Sequence, residues 1–219
     1  MNKQLRFIFI LLVCSVGFAI GLRAWLHPPL KLVTAQLLPA PKPMTQDYVL
    51  TDGGTKNHLN QVRGRWVLLF FGYTSCPDVC PLELQKLGQM LKHLDQAGAK
   101  TRPLVVFVSV DPERDKPELL KKYASHFHDD MIGVTGTNVE LAALASFFGA
   151  GFNRMATIDG KDYLIEPGAD MPGTVGDDYL VNHSSRVFII DPEVQYVGSF
   201  SPPYDTAALV SDVEQLLEQ

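Results

Sequence analysis

The chain has 219 residues, with 19 basic and 24 acidic side chains, a net charge of −5 and only three cysteines. So few cysteines exclude a small scaffold held together by disulfides. The acidic balance, without any basic run, argues against nucleic acid or an anionic membrane surface as partner.

Phe7 to Leu22 form sixteen positions without a charge, preceded by Lys3 and Arg6 and followed by Arg23 and Trp25. The pattern predicts one N-terminal transmembrane anchor over residues 1–26. Ala24 to Leu26 extend a run otherwise slightly short, with Arg23 snorkelling and Trp25 at the interface. The basic flank favours the cytoplasmic side, which places residues 34–219 on the periplasmic side of a cell inner membrane. A cleaved signal peptide is the rival reading, since Ala19-Ile20-Gly21 resembles a small-x-small cleavage site. Leu11-Leu12-Val13-Cys14 makes a poor lipoprotein box because Val13 is large, so Cys14 reads as lipid-facing packing. Lys3, Arg6, Arg23 and Lys31 are four of the nineteen basic residues and no acid precedes Asp47, which leaves the exported part at −9. That charge suits a partner with a basic face.

Pro28, Pro29, Pro39, Pro41 and Pro43 make residues 27–46 an extended, Pro-rich tether, with one globular domain over 47–219. Its elements begin with a strand at Tyr48-Val49-Leu50, a Gly53-Gly54 turn and a continuous apolar strand from Trp66 to Phe71. A helix from Pro81 to about Ala97 carries Leu84, Leu87, Leu91 and Leu94 as its buried stripe. Then follow a strand from Leu104 to Val110, a helix from Lys116 to Phe127, a short strand from Ile132 to Thr135 and a helix capped by Asn138 and ending at Phe148. Residues 151–180, rich in Gly, Asp and Pro, read as one long excursion. Strands at Arg186 to Asp191 and Gln195 to Phe200, joined by an Asp191-Pro192 turn, precede a last helix from Thr206 to Leu217. The fold class is α/β, with a central mixed sheet flanked by helices.

The chemistry concentrates in Cys76-Pro77-Asp78-Val79-Cys80-Pro81. A proline after each cysteine disfavours helical backbone at Cys76 and Cys80, so the pair is expected in a turn that ends where Pro81 starts the helix. Both sulfurs then lie at a helix N-terminus, which stabilises thiolate, the form that binds metal or attacks disulfides. Three intervening residues let one loop offer both sulfurs to one ion.

Ordered motifs over about residues 45–219 are similar to the Sco/SenC family. They are Phe71-Gly72-Tyr73-Thr74, the cysteine motif, Ser109-Val110-Asp111-Pro112-Glu113-Arg114-Asp115, Asp162-Tyr163-Leu164, Tyr179-Leu180-Val181-Asn182-His183-Ser184 and Ile189-Ile190-Asp191-Pro192. The resemblance implies a thioredoxin-like fold and one copper ion, Cu(I) or Cu(II), held by Cys76, Cys80 and His183. It also implies a chaperone role in assembling the CuA centre of cytochrome c oxidase, with the subunit carrying that centre as partner and other copper chaperones or a thiol reductant upstream. Two departures stand out: Asn182 replaces the aspartate common before the histidine, and the loop before His183 looks longer than usual.

Two thiolates and an imidazole suit copper, whereas structural zinc normally takes four protein ligands and no fourth is evident. Asp78 is an outer ligand, an acidic docking residue or simply a solvated turn acid. His27, His58, His93, His126 and His128 have no motif around them, and the methionines, Met90 included, are not ligands. Asp111 to Asp115 flank the site at a strand's C-terminal end or cap a helix. The main competing reading is a membrane-anchored thiol-disulfide oxidoreductase with Cys76 and Cys80 as its redox-active pair, although thioredoxin-type enzymes use two intervening residues. In a third reading the pair is a structural disulfide of a scaffold protein that binds no copper.

Overall fold

The computed structural model describes residues 3–26, 30–52, 56–176 and 178–219. Helix α1 spans Lys3–Leu26. Its described side chains, from Phe9 to Phe18 with Gly21 and Leu22, are exposed. Among the described residues no helix is long and apolar enough to cross a membrane, so the fold supplies a helix at 3–26 without itself establishing a span. The side chains of Lys3, Arg6, Arg23 and Trp25, residues His27 to Pro29 and the Gly53-Gly54 turn lie outside the described residues.

The remaining elements run β1 Ala35–Pro43, β2 Val49–Thr51, β3 Lys56–His58, β4 Val67–Gly72, α2 Val79–Gln96, β5 Leu104–Ser109, α3 Pro117–Phe127 and β6 Met131–Val134. They continue with α4 Asn138–Phe148, β7 Phe152–Ile158, β8 Lys161–Ile165, β9 Tyr179–His183, β10 Val187–Ile190, β11 Gln195–Phe200 and α5 Thr206–Leu217. Six strands form a mixed sheet in the order β1-β11-β10-β4-β5-β6, parallel only across β4-β5-β6. The all-apolar β4 is buried at every position, as a central strand covered on both faces must be. On one face Phe70 stacks on Phe107, which meets Tyr123 of α3. On the other Phe71 and Phe188 pack against Phe148 of α4. The expected mixed sheet flanked by helices is thus present.

Four local expectations are corrected. The Pro-rich stretch at 27–46 is not a free tether: its residues 35–43 are β1, an edge strand paired antiparallel with β11, and prolines are tolerated at an edge. Helix α2 starts at Val79, which makes Cys80 helical and puts Pro81 in the first turn, where a missing N–H breaks no intrahelical bond. The cap of α4 is Thr137, with a full capping box to Glu140, and Asn138 is the first helical residue. The excursion at 151–180 contains β7 and β8, which join β9 in a second, three-stranded sheet in the order β8-β7-β9.

The entry into β1 is pinned by α5. The buried Asp212 carboxylate accepts from the backbone N–H groups of Val33 (2.7 Å), Thr34 (2.7 Å) and Ala35 (2.8 Å) and from the Thr34 hydroxyl (2.8 Å). Burial pushes this carboxyl up, but the donors on Val33, Ala35 and Thr34 outweigh it and hold it below the ordinary aspartate value. A depressed carboxyl stabilises the fold above its unfolded pKa, and that stability is lost as pH falls through the lower folded one. Asp212→Asn should therefore cost roughly 2 kcal/mol in urea unfolding at pH 7. The gap to the native protein should close below about pH 4, and a constant gap down to pH 2 would contradict the clamp.

Candidate metal centre

Strand β4 ends at Gly72, and the chain turns through Tyr73, Thr74 and Ser75 to set Cys76 ahead of α2 and Cys80 inside its first turn. One buried carboxylate straps this turn to the end of β5. Asp115 accepts from Thr74 N–H (2.8 Å), the Thr74 hydroxyl (2.5 Å) and the Ser109 hydroxyl (2.5 Å). Gly72 makes room for the sulfur behind it. A Cβ there would lie 2.6 Å from Cys80 Sγ and 2.7 Å from Phe107 Cε2, so a side chain would push the thiol out of place.

His183 closes β9, and its ring stands edge-on to Phe70 and Tyr73, at centroid distances of 5.9 and 5.7 Å. With Nδ1–H donating to the Ser184 carbonyl at 3.0 Å, Nε2 presents its lone pair to the sulfurs. It lies 3.2 Å from Cys80 Sγ and 3.9 Å from Cys76 Sγ. All three donor atoms are within 4.8 Å of one another, and both thiols are free. A trigonal ion about 2.0 Å from nitrogen and 2.3 Å from sulfur would space N and S by about 3.7 Å, which the two observed distances bracket. The donor set fits a soft ion with small side-chain movements.

The two thiols differ electrostatically. Burial pushes Cys76 up, but the backbone N–H groups of Cys80, Asp78 and Val79 outweigh it and hold the thiol below its ordinary value. Burial drives Cys80 far above the ordinary thiol value, and the neighbouring Cys76 adds to this. The expectation that the helix N-terminus favours thiolate at both cysteines is therefore correct for Cys76 and wrong for Cys80, where desolvation wins. Burial also lowers His183 against the pull of its Ser184 and Phe71 backbone partners, which keeps the imidazole neutral, the form that coordinates.

The other sequence candidates among the described residues fall outside the centre. Asp78 is exposed and makes no side-chain cap bond, as a solvated turn acid would. Met90 is fully buried in the core beside the leucine stripe of α2. His93 lies 3.5 Å from Glu214, His128 3.1 Å from Asp95, and His126 is exposed. The side chain of His58 and all of His27 lie outside the described residues. Asn182 donates to Asn153 at 2.9 Å. It alternates with His183 on β9 and so faces away from the ligand set, which means that the missing aspartate removes no charge facing the sulfurs.

Asp111 to Asp115 do more than cap a helix. Besides the Asp115 strap, Arg114 donates to Asp111 (2.5 Å) and to the Tyr179 carbonyl (3.1 Å), and its guanidinium lies 3.8 Å from the Tyr179 ring centroid and 5.7 Å from that of Tyr73. The Tyr179 hydroxyl also donates to Asp111. This network ties the start of β9, and so His183, to the cysteine turn. In the sequence it was signalled by the position of the motif, just beyond a buried strand, and by its place among the ordered motifs of the resemblance.

A family model described as SCO1/SenC matches residues 38–218. Among curated proteins, the mitochondrial protein SCO2 of Saccharomyces cerevisiae is 35% identical over 172 residues, 78% of this chain and 50% of that protein. The chain spans about half the length of the curated relatives it matches. Among solved structures, apo Sco1 of Thermus thermophilus superposes with a TM-score of 0.66 at 33% identity, covering 83% of this chain and 95% of that one. Yeast Sco1 with copper bound gives 0.65 at 30%, covering 81% and 90%. These likenesses bear out the thioredoxin-like fold.

Proposed function

The chain belongs to the SCO1/SenC family, and from that premise we propose that it is a copper-binding metallochaperone that helps assemble the CuA centre of cytochrome c oxidase. The observation that carries the reading is the convergence of Cys76, Cys80 and His183 from two separate parts of the chain within 4.8 Å. Two thiolates and a neutral imidazole satisfy three-coordinate Cu(I), and the partly exposed Cys76 side leaves room for a weak fourth donor to Cu(II) or for an incoming acceptor ligand. Solved relatives in yeast and Arabidopsis thaliana carry copper. Copper is cargo here: the three ligands hold it, and an acceptor's ligands displace them in turn. The test is titration of the reduced protein, which should retain one copper per chain after chelator challenge; retention of none would sink the reading.

The N-terminal helix anchors this domain to the inner membrane, with the copper site on the periplasmic side. The reading is supported by the sixteen uncharged residues and the Lys3/Arg6 flank. Membrane-extracted protein should begin at its original N-terminus, and outside protease should reach residues 34–219. A mature N-terminus at Leu22 would show a cleaved signal instead.

One observation favours thiol-disulfide exchange as the second reading. Cys76 is partly exposed with its thiol below the ordinary value, while Cys80 behind it is buried and donates its N–H to Cys76 Sγ at 3.5 Å. That asymmetry suits attack by the Cys76 thiolate on a partner disulfide, with displacement of one partner thiol. Cys80 would then resolve the mixed disulfide, so that the partner gains two electrons and the pair closes as Cys76–Cys80.

A further inference from the structure

Tyr123 stands on α3 with its ring centroid 5.5 Å from that of Phe107 and 5.4 Å from that of Phe127. Part of the residue reaches solvent, but its hydroxyl is sealed from water and bonds to none of the described residues. The phenol tip therefore points into the protein, where an unpaired hydroxyl is costly. The groups around it belong to the cysteine turn. Burial pushes the phenol up first, and charge at Cys80, at Cys76 and at Asp115 pushes it further, in that order. The contacts agree: a Cβ on Gly72 would lie 2.6 Å from Cys80 Sγ and 2.7 Å from Phe107 Cε2, so the sulfur and the ring that Tyr123 packs on are neighbours.

The two sulfurs differ in their supply of donors. Cys76 Sγ takes the backbone N–H groups of Cys80, Asp78 and Val79, whereas the buried Cys80 Sγ takes that of Tyr73. A sulfur that holds copper is a thiolate, and a thiolate shut away from water needs donors more than a thiol does. We propose that the Tyr123 hydroxyl is a positioning group for the metal, the donor that hydrogen-bonds the Cys80 sulfur when that sulfur holds copper. Beside the free thiol the hydroxyl has no bond of its own, and beside a thiolate it gains one. The inference rests on the copper-delivery reading and adds a residue that helps to hold the cargo.

The test compares Tyr123→Phe with the native full chain in detergent, since phenylalanine keeps the ring packing and removes the hydroxyl alone. Reduced and without copper, the variant should unfold at the native urea concentration or above it, because the lost group had no partner. Its Cu(I) affinity in competition with a chelator should fall about tenfold. The thiolate-to-Cu(II) absorption should move to longer wavelength, since a sulfur relieved of a hydrogen bond gives up charge more readily. Tyr163→Phe, which removes an exposed hydroxyl, should change none of these. A lowered urea midpoint in copper-free Tyr123→Phe would show that the hydroxyl already serves the fold, and native affinity with an unmoved absorption would show that it does not serve the sulfur. Either result overturns the proposal and leaves the copper site standing. If the native protein itself keeps no copper after chelator challenge, the copper-delivery reading falls and this inference with it.

Discussion

Cys80→Ser is expected to abolish tight copper binding, and Cys76→Ser to do the same, although the two thiols enter the site in different states. Structural zinc held by four ligands is worth about 10–16 kcal/mol, or roughly 2.5–4 kcal/mol per ligand. Deleting one of three donors should therefore weaken binding by about a hundred- to a thousandfold. Serine is close in shape, so the Cys80 pocket behind Gly72 and beside Phe107 stays filled and the fold survives. The proton balance separates the roles. Cys80 is held protonated by burial, so copper must displace its proton, and affinity should rise with pH. That slope should flatten in Cys80→Ser and stay steep in Cys76→Ser at whatever weak affinity remains. Metal analysis after chelator challenge decides the main point: stoichiometric copper in either variant would remove that cysteine from the site.

How far the sequence foretold this centre differs from residue to residue. The turn at Cys76 was legible because a proline and a nearby helix start constrain it locally, although Pro81 did not keep Cys80 out of the helix, and β4 was legible because a run of six apolar residues has few other uses. The state of Cys80 was not legible, since its desolvation comes from Gly72 and Phe107, which lie near it only in the folded chain. The missed hairpin is different, because its signal was present. Asp159-Gly160 is a strong two-residue turn, and both residues take positive φ, 51° and 72°, between strands that pair residue by residue. Gly- and Pro-rich sequence on the far side masked it. β1 escaped for the opposite reason, since three prolines in nine residues contradict a strand unless it lies at an edge, and edge position is a tertiary fact. His183 as a ligand came from the family motif alone. Nothing local to Asn182-His183-Ser184 says that β9 will carry it back to the cysteine turn.

His183→Ala separates copper delivery from disulfide exchange. In the proposed site the imidazole, at 3.2 and 3.9 Å from the two sulfurs, is the third donor, but it takes no part in making or breaking a Cys76–Cys80 bond. The variant should keep two thiolates able to hold Cu(I) in linear fashion, while Cu(II) loses its only nitrogen donor. Cu(II) binding should fall by roughly a thousandfold and the thiolate-to-Cu(II) absorption disappear, whereas thiol exchange with a model disulfide should stay within about twofold. The ring also packs between Phe70 and Tyr73, so His183→Gln provides a control of similar bulk and should lose Cu(II) equally. In cells, a chaperone that works by delivering copper requires His183→Ala to fail in CuA assembly as Cys76→Ser fails, with partial rescue by added copper. If His183→Ala assembles the oxidase fully at normal copper while Cys76→Ser does not, the cysteines act on a partner's thiols and copper delivery is not the role of this site.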